Sequence, residues 1–270
     1  MPATMYETLR VDREDHLTWL VLNRPASLNA LNATLVSELR DFFARLPADT
    51  ETRVVALRGA GRAFCAGLDL KEHAAGQGDR RPSVPDALRA QRRISEIVML
   101  MRRAPQPILA CVHGAACGGG FALALAADVR IAGGSARMNA AFIRLGLSAC
   151  DVGVSYFLPR LVGASLAAEL LLTGNFIDAA RAERAGLVSR VVPDAELEAA
   201  GRALAAEMLR NTPLGLRLTK ECLAQSLDAA SLEQVIAMED RNQVLAAGTA
   251  DFREGVAAFL EKRTPAFHDA

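Results

Sequence analysis

Apolar positions in this 270-residue chain follow two periods, and the switches between them mark the elements. His16–Leu22 alternates before Asn23-Arg24-Pro25, which predicts a strand. Asn29–Leu46 has helical period, with Leu31, Leu35, Leu39, Phe42 and Phe43 on one side. Val54–Leu57 and Ile108–Val112 are short unbroken apolar runs, and Val129–Ala132 is a third; such runs suit buried strands. Gly76–Pro85, rich in Gly, Pro and Arg, predicts a surface loop, and Leu88–Arg103 a second amphipathic helix. Phe121–Ala127 predicts a buried helix. Beyond residue 160 the pattern turns helical. Asp178 is placed to cap Ala179–Ala185, which Gly186 ends, and Leu187–Val192 reads as a last strand. A helix starts near Asp194, with Leu197, Leu204 and Met208 in one stripe. Ser231-x-x-Gln234 and Asp251-x-x-Glu254 have capping-box spacing. Strands alternating with helices give an α/β class over residues 1–193, followed by a helical region over 194–270. Those last helices have few partners of their own and need another surface to cover them, in this domain or another subunit.

Two glycine-rich junctions carry the candidate chemistry. Ile108–Val112 runs through small residues into Gly118, Gly119 and Gly120 and then a helix. The first helical N–H groups lack intrahelical partners and lie at the positive end of the macrodipole, so an anion, or an oxygen gaining charge, fits there. Val54–Leu57 leads similarly into Arg58-Gly-Ala-Gly-Arg-Ala-Phe-Cys-Ala-Gly67-Leu68-Asp69-Leu70. Two such loops offering one amide each make an oxyanion hole. Each loop alone also reads as a tight turn. Gly59-x-Gly61 lacks the further glycine of a dinucleotide fingerprint, and no Lys-Ser/Thr follows Gly120, so neither motif is a nucleotide loop.

Composition narrows the classes. Lys plus Arg total 31, matching 31 Asp plus Glu, so nothing suggests a nucleic-acid or anionic-membrane field. Half the residues are apolar, which is ordinary for a globular protein. Met1–Arg10 has no apolar run of a signal peptide. Ala104–Ala127 lacks formal charge over about the ~20 residues of a membrane span, but Pro105, Pro107 and the glycines would break such a helix. Five cysteines without CxxC spacing and four scattered histidines predict a reducing, cytoplasmic setting and no metal site.

Taken together, the residues resemble the crotonase, or enoyl-CoA hydratase/isomerase, superfamily. The resemblance is carried by Asn23-Arg24-Pro25, Leu28-Asn29-Ala30-Leu31, Ala63–Lys71, Val112–Gly120, Ala127–Ala132, Leu158–Gly163, Leu172–Gly174, Ala185–Val188 and Phe259–Lys262, in order over nearly the whole chain. It implies a crotonase-like spiral of ββα units with a C-terminal helical trimerisation region, and a homo-trimer or dimer of trimers. It implies an acyl-CoA substrate and no separate cofactor, coenzyme A being part of the substrate. It implies an oxyanion hole from the N–H groups of Leu68 and Gly119. Substrate contacts are expected from Arg24, Ala26, Leu28, Ala66, Asp69, Leu70, Lys71, Phe142, Phe259 and Lys262, the last across a subunit boundary.

Two departures bear on the reaction. Hydratases of this family carry glutamates where this chain has Ala122 and Phe142, and neither residue moves a proton. Asp151-Val152-Gly153 resembles the segment of the dienoyl-CoA isomerase branch whose aspartate is the acid/base, with one extra residue before it. A single carboxylate suits moving a proton between two carbons of an enolate better than hydration, which must also activate a water. His113, Cys65 and Cys117 read as structural, and Arg144 as either a surface or an acyl contact. The arginines of Leu88–Arg103 read as a solvated face. Alternatives on the same resemblance are an acyl-CoA-sequestering protein, a decarboxylase and a thioester hydrolase; an RNA-binding relative is disfavoured by the neutral charge.

Overall fold

The computed structural model describes residues 5–77 and 83–269. Six strands form the main sheet: β1 (Leu9–Glu14), β2 (Leu17–Leu22), β3 (Val54–Gly59), β4 (Ile108–Val112), then β6 (Val129–Gly133) and β9 (Val191–Val192), in the order β1-β2-β3-β4-β6-β9. Only β1–β2 is antiparallel. A second sheet joins β5 (Ala115–Cys117), β7 (Arg137–Asn139) and β8 (Ile177–Asp178), in the order β5-β7-β8.

The unbroken apolar runs are explained by burial on both faces of the main sheet. Leu20, Leu22, Val55, Leu57, Ile108 and Ala110 face a large core shared with α1 (Ala33–Arg45) and α3 (Val84–Arg103). Their neighbours Trp19, Val21, Val54, Ala56, Leu109 and Cys111 face a second core closed by Leu197 and Ala205 of α8 (Leu197–Leu209). The strand period of two divides each run between two covering layers. α2 (Leu70–Gln77) leads toward α3, and α4 (Gly119–Ala126) is buried throughout. The uncharged stretch Ala104–Ala127 is therefore β4, β5 and α4, and no helix among the described residues is long and apolar enough to cross a membrane.

The chain continues through α5 (Val154–Val162), α6 (Ala164–Thr173) and α7 (Ala179–Arg184), which Asp178 caps as expected by accepting from the Arg181 N–H. After α8 come α9 (Pro213–Ser226), α10 (Leu232–Ala247) and α11 (Ala250–Glu261). Lys220 of α9 is buried and donates to the Met101 and Gln106 carbonyls while pairing with Asp128 at 2.8 Å, so this helix is pinned to the core.

Four readings of the sequence need correction. β1 escaped the pattern because this edge strand is half exposed and strongly charged. The expected loop at Gly76–Pro85 is shorter: α2 includes Gly76 and Gln77, and Ser83 caps α3 ahead of Val84 and Pro85; residues 78–82 lie outside the described residues. Leu187–Val192 pairs only at Val191–Val192, because Leu187 and Val188 are buried in the turn that ends α7. Asp251 does not cap its helix; Thr249 does, and Asp251 instead accepts from the His268 and Asp269 N–H groups. The Ser231 cap stands, accepting from the Gln234 N–H.

Candidate active site

The two glycine junctions meet. Cys65 and Ala116 form a parallel bridge: the Cys65 N–H donates to the Ala115 carbonyl at 3.0 Å, and the Cys117 N–H to the Cys65 carbonyl at 2.9 Å. A Cβ on Gly67 would lie 2.7 Å from the Cys117 oxygen and 3.6 Å from the Gly119 nitrogen. One on Gly120 would lie 2.1 Å from the Cys65 oxygen. Glycine is needed at both positions because backbone passes against backbone.

Leu31 holds the other edge of the Gly67–Asp69 loop. Its N–H donates to the Gly67 carbonyl at 2.7 Å, and its carbonyl accepts from the Asp69 N–H at 3.0 Å. In a parallel bridge these bonds flank Leu68, whose own N–H then points off the opposite edge. The Gly119 N–H opens α4 and has no acceptor within that helix. Two amides without helix or bridge partners thus lie on adjoining backbones.

Arg24 does not face this loop as a free cation. It pairs with Asp69 at 2.9 Å and Glu72 at 2.5 Å and also donates to the Ala30 carbonyl, clamping the turn before α1 to the start of α2. Burial pushes the Asp69 carboxyl up, but the Glu72 N–H and the Arg24 guanidinium outweigh it and hold the group below its ordinary value. Asn29 anchors the same turn. It is fully buried at φ +56°, donating to the Ala60 and Ala63 carbonyls, both at 2.8 Å, and accepting from the Arg24 N–H. In the sequence, the signal for this anchor is a polar residue inside the apolar Leu28-Asn29-Ala30-Leu31. Leu28 accepts from the Ala66 N–H at 3.0 Å, whereas Ala26, Leu70 and Lys71 are exposed.

A pocket of about 330 Å³ opens beside Leu68, between α1, α2 and α3, with Leu31, Val36, Ala90 and Ile94 among its walls. Ala122 is buried, and the half-buried Phe142 sets its ring against Gly118. Asp151 lies at the turn into α5, which packs on α4. Its Oδ1 accepts from Gln91 Nε2 of α3 at 2.6 Å and from the Val152 N–H at 2.8 Å. Val152 sits at φ +40°, a left-handed conformation that is costly for a β-branched residue. Phe259 lines a different groove, with Thr212, Phe252 and Phe267, and Lys262 ends α11, so one chain does not bring these two to Leu68 and Gly119.

The remaining candidates are occupied or inert. His113 Nε2 lies 3.0 Å from the Gly61 carbonyl, and Arg144 donates to Asn175. Burial pushes the Cys65 thiol up to about 12 and raises Cys117, so neither is an activated nucleophile. Among the described residues no three His, Cys, Asp or Glu side chains gather as metal ligands.

The fold is thus a sheet flanked by helices, with two glycine-rich loops converging beside the start of α4. The enoyl-CoA hydratase/isomerase family model matches residues 12–270, and the chain belongs to that family. It is 43% identical over 256 residues, 93% of this chain and 88% of the relative, to a Mycobacterium tuberculosis protein named as a probable enoyl-CoA hydratase. It is 35% identical to the 1,2-epoxyphenylacetyl-CoA isomerase of Escherichia coli, over 97% of this chain and 99% of that one. The crystal structure of an enoyl-CoA hydratase from Bacillus anthracis superposes with a TM-score of 0.92 at 35% identity, over 98% of this chain and 100% of that one. The fold is the crotonase fold.

Proposed function

We propose that this protein acts on acyl-CoA thioesters through an enolate. The Leu68 and Gly119 N–H groups receive the thioester oxygen, with the α4 dipole reinforcing the second donor. The observation that carries this is the apposition of Gly67 to Gly119, with no backbone acceptor from a turn, bridge or loop among the described residues for the Leu68 or Gly119 N–H. Asp151 removes a proton from one carbon of the acyl group and returns it to another, so the reaction is a double-bond isomerisation. Ala122 and Phe142 support this reading against hydration, since neither can activate a water. The acyl chain enters the pocket beside Leu68. The protein assembles as a trimer or a dimer of trimers, with Phe259 and Lys262 reaching a neighbouring subunit's substrate.

The test is a panel of saturated, 2-enoyl- and 3-enoyl-CoA thioesters followed by mass spectrometry in water and in deuterium oxide. Double-bond migration with deuterium uptake is expected. Added water would favour hydration, and loss of carbon dioxide or of coenzyme A would favour decarboxylation or hydrolysis. Binding without any exchange would favour sequestration.

A further inference from the structure

We infer that Gln91 is a positioning residue for Asp151, fixing one carboxylate oxygen so that the other carries the proton. The inference rests on the acid/base role of Asp151 proposed above. Two donors converge on Oδ1, the Gln91 amide at 2.6 Å and the Val152 N–H at 2.8 Å, while no hydrogen bond from the described residues falls on Oδ2. A carboxylate free to rotate about its terminal torsion presents either oxygen; two donors on one oxygen fix which is offered. The donors come from different elements, one from the turn itself and one from α3, so Gln91 ties the carboxylate to the helix that walls the pocket.

Helix geometry sets the direction. Gln91 shares a face with Ile94, three residues on, and Ala90 and Ile94 both line the pocket beside Leu68. Gln91 therefore fastens the carboxylate to the helix that supplies Ala90, Arg93 and Ile94 to that pocket. Arg92 and Arg93 follow Gln91 on α3 and are exposed, Arg93 lining the same pocket; α4 has no ionisable side chain, and Arg160 of α5 is turned to Asp228 at 2.9 Å. Among the described residues no cation forms an ion pair with Asp151, so a neutral amide supplies the orientation that a cation supplies elsewhere.

The experiment reads α-proton exchange of a 3-enoyl-CoA in deuterium oxide across pH, for the wild type, Gln91→Leu, Gln91→Lys and Asp151→Asn. Gln91→Leu removes the donor at similar volume. Its kcat should fall about tenfold at unchanged KM, and the acid limb of the kcat profile should move up by about half to one pH unit. Gln91→Lys restores a donor with charge, so its acid limb should move down. A helix damaged by substitution would not shift the limb in opposite directions. Gln91→Leu combined with Asp151→Asn should cost no more than Asp151→Asn alone. If Asp151→Asn is inactive but neither Gln91 variant moves the limb, the positioning role is wrong and the base survives. If Asp151→Asn keeps full activity, the base reading fails and takes this inference with it.

Discussion

At the scale of single residues, Gly119 contributes an N–H and Asp151 a carboxylate, and each can be removed with little other change. Proline is tolerated at the first position of a helix, so Gly119→Pro deletes the proposed donor while α4 keeps its shape. A Cβ there meets Leu31 Cδ1 at 2.7 Å, which a flexible side chain can relieve. Gly119→Ala adds the same Cβ and keeps the N–H, and is the control. Turnover by the proline variant should fall about 10²- to 10³-fold below the alanine variant, at equal affinity for coenzyme A measured by calorimetry. Equal turnover in the two variants would remove Gly119 from the mechanism. Asp151→Asn keeps the shape of the side chain but not the base, and should cost about 10²- to 10⁴-fold in kcat with acyl-CoA affinity unchanged. The glycine junctions were legible because their spacing is local, whereas Asp151 was singled out only by the family resemblance of Asp151-Val152-Gly153. Gln91 was not, since nothing in the sequence brings residue 91 to residue 151; that contact exists only once α3 and the turn into α5 pack together. Asn29 was visible as a polar residue among apolar ones, but its three bonds depend on the fold around it.

At the scale of elements, buried strands and central helices were read well because burial on two faces imposes an unmistakable apolar run, whereas β1 and the turn after α7 depend on neighbours far along the chain. The C-terminal tail shows the same limit. Asp251 and Glu254 have capping-box spacing, yet the fold uses both to fasten residues after α11. Glu254 accepts from Arg263 and from the Ala266 N–H at 2.9 Å, and Asp251 accepts from the His268 and Asp269 N–H groups at 2.8 and 3.0 Å. The Arg263 bond, with the Ala266 N–H, pulls the Glu254 carboxyl down to about 2. A carboxyl depressed in the folded state stabilises it above its ordinary value, near ~4.3, and that contribution is lost as pH falls from there toward about 2. The tail should therefore loosen in that window ahead of the core. Hydrogen exchange at Ala266 as pH is lowered checks this, after correction for intrinsic exchange rates. Glu254→Gln should show a loosened tail at neutral pH and no further loosening in the window.

At the scale of the whole molecule, the distribution of apolar surface says what the fold leaves unfinished. The main sheet is covered on both faces by helices of the same chain, α1 and α3 on one and α8 on the other, so its core is closed within one chain. The helices after α8 differ: Leu223, Leu227, Leu232, Val244, Phe252, Phe259 and Leu260 are all large, apolar and exposed. Their amphipathic pattern was readable in the sequence, but which surface covers it was not, because none of the described residues of one chain does. Side chains of this size gain about 1.5–3 kcal/mol each on full burial, so a handful covered together is enough to drive association. Burying them against copies of the chain is the arrangement the family resemblance implies, and it would also bring Phe259 and Lys262, stranded on α11, toward a neighbour's site. Sedimentation should give a trimer or a hexamer at micromolar concentration. Phe259 is 83% exposed in the single chain, so Phe259→Asp should leave the fold of that chain intact by circular dichroism while shifting the assembly toward monomer. A wild-type monomer at every concentration would mean that these faces serve some other contact. A Phe259→Asp variant that stays assembled yet loses acyl-CoA affinity would place Phe259 at the substrate and outside the interface.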